Sequence, residues 1–417
     1  MRYCIHRGTQ EIGGTCIELE AQGKRLVLDV GLPLDKKDDP ALLPHISGFR
    51  ESDENLLGVA ISHAHPDHYG LAKYVLPEVP VLIGEAAQRI VNAASQFMPG
   101  MPEFSNVIHL QDREPITLGP FRLTPFLVDH SAYASQAFLI EADGQKIFYS
   151  GDFRGHGRSS QRFEELISNP PSDIDLLFME GTTLSREVAK EGFTPEAELE
   201  VEFKATIKKT PKTGLVMTFA SAQNIDRMIT LYRVAQSVGR ELVIDLYAAE
   251  ILLATDDPTV PQASWEGVSV WVPGFQRGQV WHGKMFELLD RYKPDRIYTE
   301  ALVADPSRYL LLFRPAMGRE LEETECLSGA NLIYSMWEGY LEEERLAPFI
   351  EWRNRNNLPM IHIHTSGHAP IPDLQRFAKA IAPKTLAPIH TEHAKGFPKY
   401  FDNVELQIDG EWREVSR

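Results

Sequence analysis

The chain has 417 residues, 43% hydrophobic and 24% charged; at roughly two to three times a common single-domain length with ordinary globular usage, it excludes a disulfide-stapled miniature, a fibre and wholesale disorder. Lys and Arg number 42 against 59 Asp and Glu, a net charge of −17, so any polyanionic partner must be drawn by a local cluster or by bound cations rather than by the mean field. The three cysteines, Cys4, Cys16 and Cys326, have no CxxC spacing, and neither a signal-peptide core nor a run of about 18 apolar residues occurs, so a cytoplasmic protein without membrane association is expected.

Residues 1–182 alternate short apolar runs with turn signals: CIELEA, RLVLDVG, LLGVAIS, VPVLIG, FRLTPFLVD, QAFLIEA, KIFYSGD and IDLLFMEG. These read as strands, with a helix over Glu85–Phe97 among them. Most are too apolar to have a wet face and several end in Gly, Asp, His or Ser, the pattern of a buried sheet that presents loops at one edge. From 183 to 357 the texture changes. A helix is predicted over Ala222–Ser237, a strand over ELVIDLYA, a helix over MFELLDRY, and strands over DRIYTEAL and ANLIYSM; this alternation points to a separate parallel-sheet unit. Over 358–417 the first texture resumes with PMIHIHTSGHA, a helix over Asp373–Ile381 and TLAPIHTEHA. Neither an internal repeat nor a low-complexity tract interrupts this order.

The strongest chemical signal is Ser62-His63-Ala64-His65-Pro66-Asp67-His68, directly after the apolar run LLGVAI. Three imidazoles and a carboxylate fall within six residues. In an extended segment His63 and His65 point to one side, while Asp67 and His68 on the following turn face a neighbouring point, so two adjacent metal ions can share the loop. Nitrogen and oxygen donors without Cys suit zinc or a similar divalent ion. Asp29, His130, Asp152 and His390 each follow another apolar strand-like run, the context that gathers distant residues at one sheet edge.

HxHxDH followed by these Asp and His positions in this order resembles the metallo-β-lactamase fold over nearly the whole chain. The resemblance implies that His63, His65 and His130 hold one zinc and Asp67, His68 and His390 a second, with Asp152 bridging and Asp29 bracing the ligand loop. The cofactor implied is two divalent ions, zinc foremost, with manganese or magnesium as alternatives. Glu180 in LFMEGTT, His368 in HTSGHA and His390 are similar to motifs A, B and C of the β-CASP nucleases, and the segment 183–357 has the place and size of their inserted domain. The fold class expected is therefore α/β, an αββα sandwich with an inserted parallel-sheet β-CASP domain. HTSGHA and DHSAYAS are similar to the ribonuclease J group, whereas the pair Ala222-Gln223 is similar to the cleavage-factor branch; both RNA-processing groups remain open.

The activity implied is metal-dependent hydrolysis of single-stranded RNA, as endonuclease, 5′ exonuclease or both, through a hydroxide activated by two zinc ions. Asp67 would orient or deprotonate the water, and His368, positioned by Glu180, would protonate the leaving oxygen. Phosphate contacts are expected from His364 and Ser366 on the resemblance, and from Ser221 and Asn224 of the inserted segment; His362 is read as structural. Arg154 and Arg158 either line an RNA path or are merely solvated. His6, His45, His109, His156, His282 and His393 lack a comparable context, and the aromatics of SVWVPGF and IYSMWEGY are read as core rather than as base-stacking platforms. Two alternatives stand beside this reading: a DNA nuclease, against which His390 weighs, and a catalytically idle RNA-binding subunit, against which the complete ligand set weighs. The resemblance also implies a homodimer.

Overall fold

The computed structural model describes residues 1–210 and 213–416, in two compact units: Met1–Phe193 with the chain from Gly367 onward, and Thr194–Ser366. The first unit holds two sheets. In one, seven strands run in the order Trp412–Glu414, Arg2–Arg7, Cys16–Ala21, Lys24–Leu28, Leu56–Ala60, Val81–Gly84 and Val107–Leu110; pairing is antiparallel as far as Lys24–Leu28 and parallel beyond it. In the other, six run in the order Thr385–Ile389, Leu176–Glu180, Gln145–Tyr149, Gln136–Ala142, Phe121–Leu127 and Ile116–Leu118. Its first three are mutually parallel and the rest antiparallel.

Side-chain alternation explains how these strands pack. Leu26, Leu28, Ala60 and Leu82 of the first sheet meet Phe138, Ile140, Ile147, Tyr149 and Phe178 of the second in one core. The intervening residues Phe148, Leu177 and Met179 point the other way, onto Phe163 and Leu166 of the helix Ser160–Ser168 and Leu374, Phe377 and Ile381 of the helix Ile371–Ile381. Both faces are dry in the middle of the second sheet, over Leu176–Glu180 and residues 147–149, which is why LLFM and IFY read as uninterrupted apolar runs. Each fully buried Phe or Leu there contributes roughly 1.5–3 kcal/mol relative to exposure. The helix Glu85–Ser95 buries Ala87, Ile90, Val91 and Ala94, one stripe at helical spacing, and packs back on Val81–Gly84. The result is the expected sandwich of two mixed sheets between helices.

In the second unit all seven strands are parallel, in the order Arg296–Ile297, Val268–Trp271, Glu241–Ile244, Tyr309–Leu312, Val216–Phe219, Asn331–Tyr334 and Met360–His362. Its core gathers Met217, Val243, Trp271, Leu311, Phe313, Leu332, Phe349 and Trp352. The α/β class with an inserted all-parallel sheet is therefore the architecture of this chain.

Local departures from the sequence reading have local causes. The strand expected over ELVIDLYA stops at Ile244, because the Asp245 side chain accepts from the Ala248 amide and starts the helix Leu246–Ala254. Asn224 likewise accepts from the Arg227 amide, so the helix expected from Ala222 begins at Ile225. DRIYTEAL divides into the strand Arg296–Ile297 and the helix Thr299–Ala304. Leu184 and Ala189 are buried against the sandwich, whereas Met360–His362 pairs with Asn331–Tyr334 in the parallel sheet; the inserted unit thus lies further along the chain at both ends than 183–357. Trp271 and Tyr334 are core residues, while Trp337 is 41% exposed beside Tyr340. Among the described residues no helix is long and apolar enough to cross a membrane.

Candidate metal centre

Strand direction assembles the site. Gln145–Tyr149, Leu176–Glu180 and Thr385–Ile389 run the same way, so Asp152, Glu180 and His390 leave the sheet at one edge. Phe121–Leu127, two antiparallel steps from Gln145–Tyr149, shares that direction and delivers His130. In the facing sheet the parallel neighbours Lys24–Leu28 and Leu56–Ala60 deliver Asp29 and the loop from Ser62. His65, with extended backbone, precedes the single helical turn Pro66–Tyr69, which presents Asp67 and His68; Pro at the first helical position lacks only an amide proton the turn would leave unpaired. Gly31 is obligatory here, since a Cβ on it would lie 1.7 Å from the Asp67 carbonyl oxygen. Asp29 and His390 both occupy the left-handed region, with φ of 56° and 51°, strain of the kind that surrounding structure must impose.

Among the described residues three donor sets have their ligand atoms within 4.8 Å of one another: a first of His63, His65 and His130; a second of Asp67, His68, Asp152 and His390; and a third, Asp152, Glu180 and His368, that overlaps the second at Asp152. His130 Nε2 lies 3.3 Å from His65 Nδ1. Two nitrogens sharing a tetrahedral ion at 2.0–2.1 Å would be about 3.3 Å apart. Asp152 Oδ2 stands 3.1 Å from His68 Nε2 and 3.7 Å from both His63 Nε2 and His390 Nε2, and His390 Nε2 is 3.6 Å from Asp67 Oδ2. Asp152 therefore faces both the first and the second set.

The outer atoms of these side chains are engaged. Asp29 accepts from the Ser62 amide and the Ser62 hydroxyl, both at 2.7 Å, from His68 Nδ1 at 2.7 Å and from the Tyr149 hydroxyl. His130 Nδ1 donates to the Gly367 carbonyl at 2.5 Å. His390 Nδ1 lies 2.9 Å from Thr15 Oγ1 and 3.3 Å from the Gly13 amide. The inner atoms His63 Nε2, His390 Nε2 and Asp152 Oδ1 are buried and lack any hydrogen-bond partner. Orphaned buried polar atoms are costly, and aiming them at one point with their far sides braced is how ligands of a cation are held. These residues fit divalent metal ions.

The electrostatics agree. Burial, followed by the neighbouring imidazoles, keeps His63 and His130 well below the usual histidine range, and burial takes His65 down to about 4, so their lone pairs are available. Burial also opposes a charge on His68, but Asp152, Asp29 and Asp67 together outweigh it and hold that ring well above its ordinary value. The carboxylates thus demand positive charge at this point.

Glu180 and His368 stand beside the second set. His368 Nδ1 is 3.1 and 3.2 Å from the two Glu180 oxygens and 3.7 Å from Asp152 Oδ2. Burial disfavours the charged ring, yet Glu180 and Asp152 overcome it and raise His368 above the usual histidine value. Glu180 is itself fixed by the Phe153 amide at 3.0 Å.

The four predicted phosphate contacts lie in the second unit. Ser221 is exposed just past the strand Val216–Phe219, its hydroxyl accepting from the Gln223 amide, and Asn224 caps the next helix. His364 and the buried Ser366 follow Met360–His362, and His364 Nδ1 has no partner. Burial, reinforced by Arg227, lowers His364 to about 3. Arg227 is fully buried on Glu196, at 2.8 and 3.1 Å.

Arg154 lines no path: it is fully buried with its Nε 3.4 Å from Asp129. Tyr149, Thr15 and Asp129 carry no mark of their roles in the sequence beyond, for Tyr149, one hydroxyl that follows two apolar residues at the end of the strand Gln145–Tyr149.

A family model for the Beta-lactamase superfamily domain matches residues 25–210, and one for a Zn-dependent metallo-hydrolase RNA specificity domain matches residues 357–406. Ribonuclease J of Helicobacter pylori (strain J99) is 23% identical, the match covering 98% of this chain and 59% of that protein; for ribonuclease J of Synechocystis sp. the figures are 23%, 98% and 64%. The chain therefore spans 59–64% of the length of these relatives. A crystal structure of a protein of unknown function from Enterococcus faecalis V583 shares the fold, with a TM-score of 0.79 at 22% identity over 99% of both chains. With the sandwich, the donor sets and both domain matches in hand, the chain belongs to the metallo-β-lactamase superfamily, carries its RNA specificity domain and is a distant relative of ribonuclease J.

Proposed function

We propose that this protein is a metal-dependent ribonuclease that hydrolyses phosphodiester bonds of single-stranded RNA, as an endonuclease, a 5′ exonuclease or both. The observation that carries the reading is the pair of buried donor sets meeting at Asp152, with partnerless atoms aimed inward, in a chain that also matches an RNA specificity domain. His63, His65 and His130 would hold one divalent ion and Asp67, His68 and His390 the other, with Asp152 between them. Such ions, zinc foremost, supply electrophilic activation of the phosphoryl group and acidify water at neutral pH. They also reconcile a polyanionic substrate with a net charge of −17.

The chain supplies the proton transfers and the orientation. Asp67, with 14% of its side chain exposed against 2% for Asp152, meets incoming solvent and orients the attacking water. Glu180 takes Nδ1 of His368, which leaves Nε2 as the nitrogen that hands a proton to the departing oxygen. His364, Ser366, Ser221 and the Asn224 amide are the proposed phosphate contacts. Free, buried cysteines support a reducing, cytoplasmic setting.

The test is incubation of purified protein with 5′-labelled RNA and matched DNA carrying monophosphate or triphosphate ends, with and without chelator. Chelator-sensitive cleavage of RNA is expected, with mononucleotides marking the exonuclease and discrete internal products the endonuclease. Cleavage of DNA alone, or binding of RNA without cleavage at saturating metal, overturns the proposal.

A further inference from the structure

The carbonyl that engages His130 comes from Gly367, the first residue after the inserted unit Thr194–Ser366. A carbonyl can only accept, so His130 Nδ1 carries the ring proton and the lone pair lies on Nε2, the nitrogen that stands 3.3 Å from His65 Nδ1. The approach is close: a Cβ on residue 367 would lie 2.5 Å from Ser131 Oγ, 3.1 Å from Ser131 Cβ and 3.4 Å from His130 Cε1, so the Ser131 hydroxyl would have to turn away and its Cβ give by a few tenths of an ångström. Nor can the returning segment back away. The Thr183 hydroxyl donates to the Ala369 carbonyl at 2.5 Å, and Glu180 holds the intervening His368. A side chain at 367 would therefore press on Ser131 first and, through the backbone it shares with Ser131, on His130.

We infer that Gly367 is a positioning residue for His130, its carbonyl setting the tautomer and aim of that ring and its missing side chain allowing the contact, so that the returning chain completes the donor set His63, His65 and His130. The inference rests on the metal-binding reading above and extends it to a residue that holds no ion itself. Groups that hold the far side of a ligating histidine are worth about 10- to 100-fold in metal affinity.

The experiment titrates Co(II) into the metal-free full-length protein, reading affinity by calorimetry and ligand field by visible absorption. It compares wild type, Gly367→Ala, and Gly367→Ala combined with Ser131→Gly, which removes both of the closest atoms. The expected result is two equivalents for wild type, one of them weakened about 10- to 100-fold with an altered absorption band in Gly367→Ala, and recovery of both in the double variant. Wild-type affinities and spectrum in Gly367→Ala overturn the inference, as does a double variant no better than the single. If the single variant does not fold, the double variant decides: two tight equivalents support the inference and a weakened one overturns it. A wild type that binds no Co(II) refutes the metal-dependent reading instead.

Discussion

Replacing Tyr149 with Phe removes one oxygen and leaves the shape of the sandwich core intact. The ring belongs to the inter-sheet core, 6.1 Å from that of Phe138, and its hydroxyl donates to the fully buried Asp29. Burial, and then Asp29 itself, keep the phenol far above its ordinary pKa, so it remains a donor throughout the neutral range. A hydrogen bond to a charged group is worth about 1.5–3 kcal/mol. Asp29 Oδ2 retains the Ser62 hydroxyl and His68 Nδ1, so no orphaned carboxylate is created and the loss belongs near the lower end, about 2 kcal/mol. Because Asp29 also aims His68, affinity for one metal equivalent should fall about tenfold. Chemical denaturation of the metal-free protein measures the first effect, and zinc competition against a chromogenic chelator the second. A variant matching wild type in both would show that Ser62 and His68 suffice to hold Asp29, and the bracing network drawn above would be wrong.

His368→Ala should retain both metal equivalents while RNA cleavage drops by about 10²–10⁴; metal analysis beside initial rates checks this, and unimpaired cleavage would remove the proton-donor role. Glu196→Ala strands the fully buried Arg227 guanidinium, which now has Nε at 2.8 Å and Nη2 at 3.1 Å from that carboxylate. Destabilisation of about 3–5 kcal/mol is expected, and an unchanged thermal transition of the second unit would contradict the assignment.

Much of the fold is written locally. The stretches IFY in KIFYSGD and LLFM in IDLLFMEG are apolar at successive positions because both faces of the sheet are buried there, and that pattern survives without any knowledge of partners. Helix starts are less legible: Asp245 and Asn224 each end a strand or turn by capping, a decision made by one side-chain oxygen against the β-propensity around it. The short strand Met360–His362 carries no mark of its sheet, and only its pairing with Asn331–Tyr334 assigns it to the inserted unit. Arg154 shows the same limit in reverse, since an arginine in a loop reads as solvated until a buried Asp129 is found beside it.

Taken alone, the amino-acid order determined which residues have the chemistry to bind a metal, because His, Asp and Glu at the ends of apolar strands are recognisable by type and context. Only the tertiary structure decided that seven of them, spread from His63 to His390, fall into two sets whose atoms lie within 4.8 Å of one another. Strand direction and register are set by pairing between segments far apart in the chain. Tyr149, Thr15 and the Gly367 carbonyl acquire their roles in the same way: a hydroxyl or a peptide oxygen is chemically unremarkable until folding places it against a ring nitrogen or carboxylate that has no water to turn to.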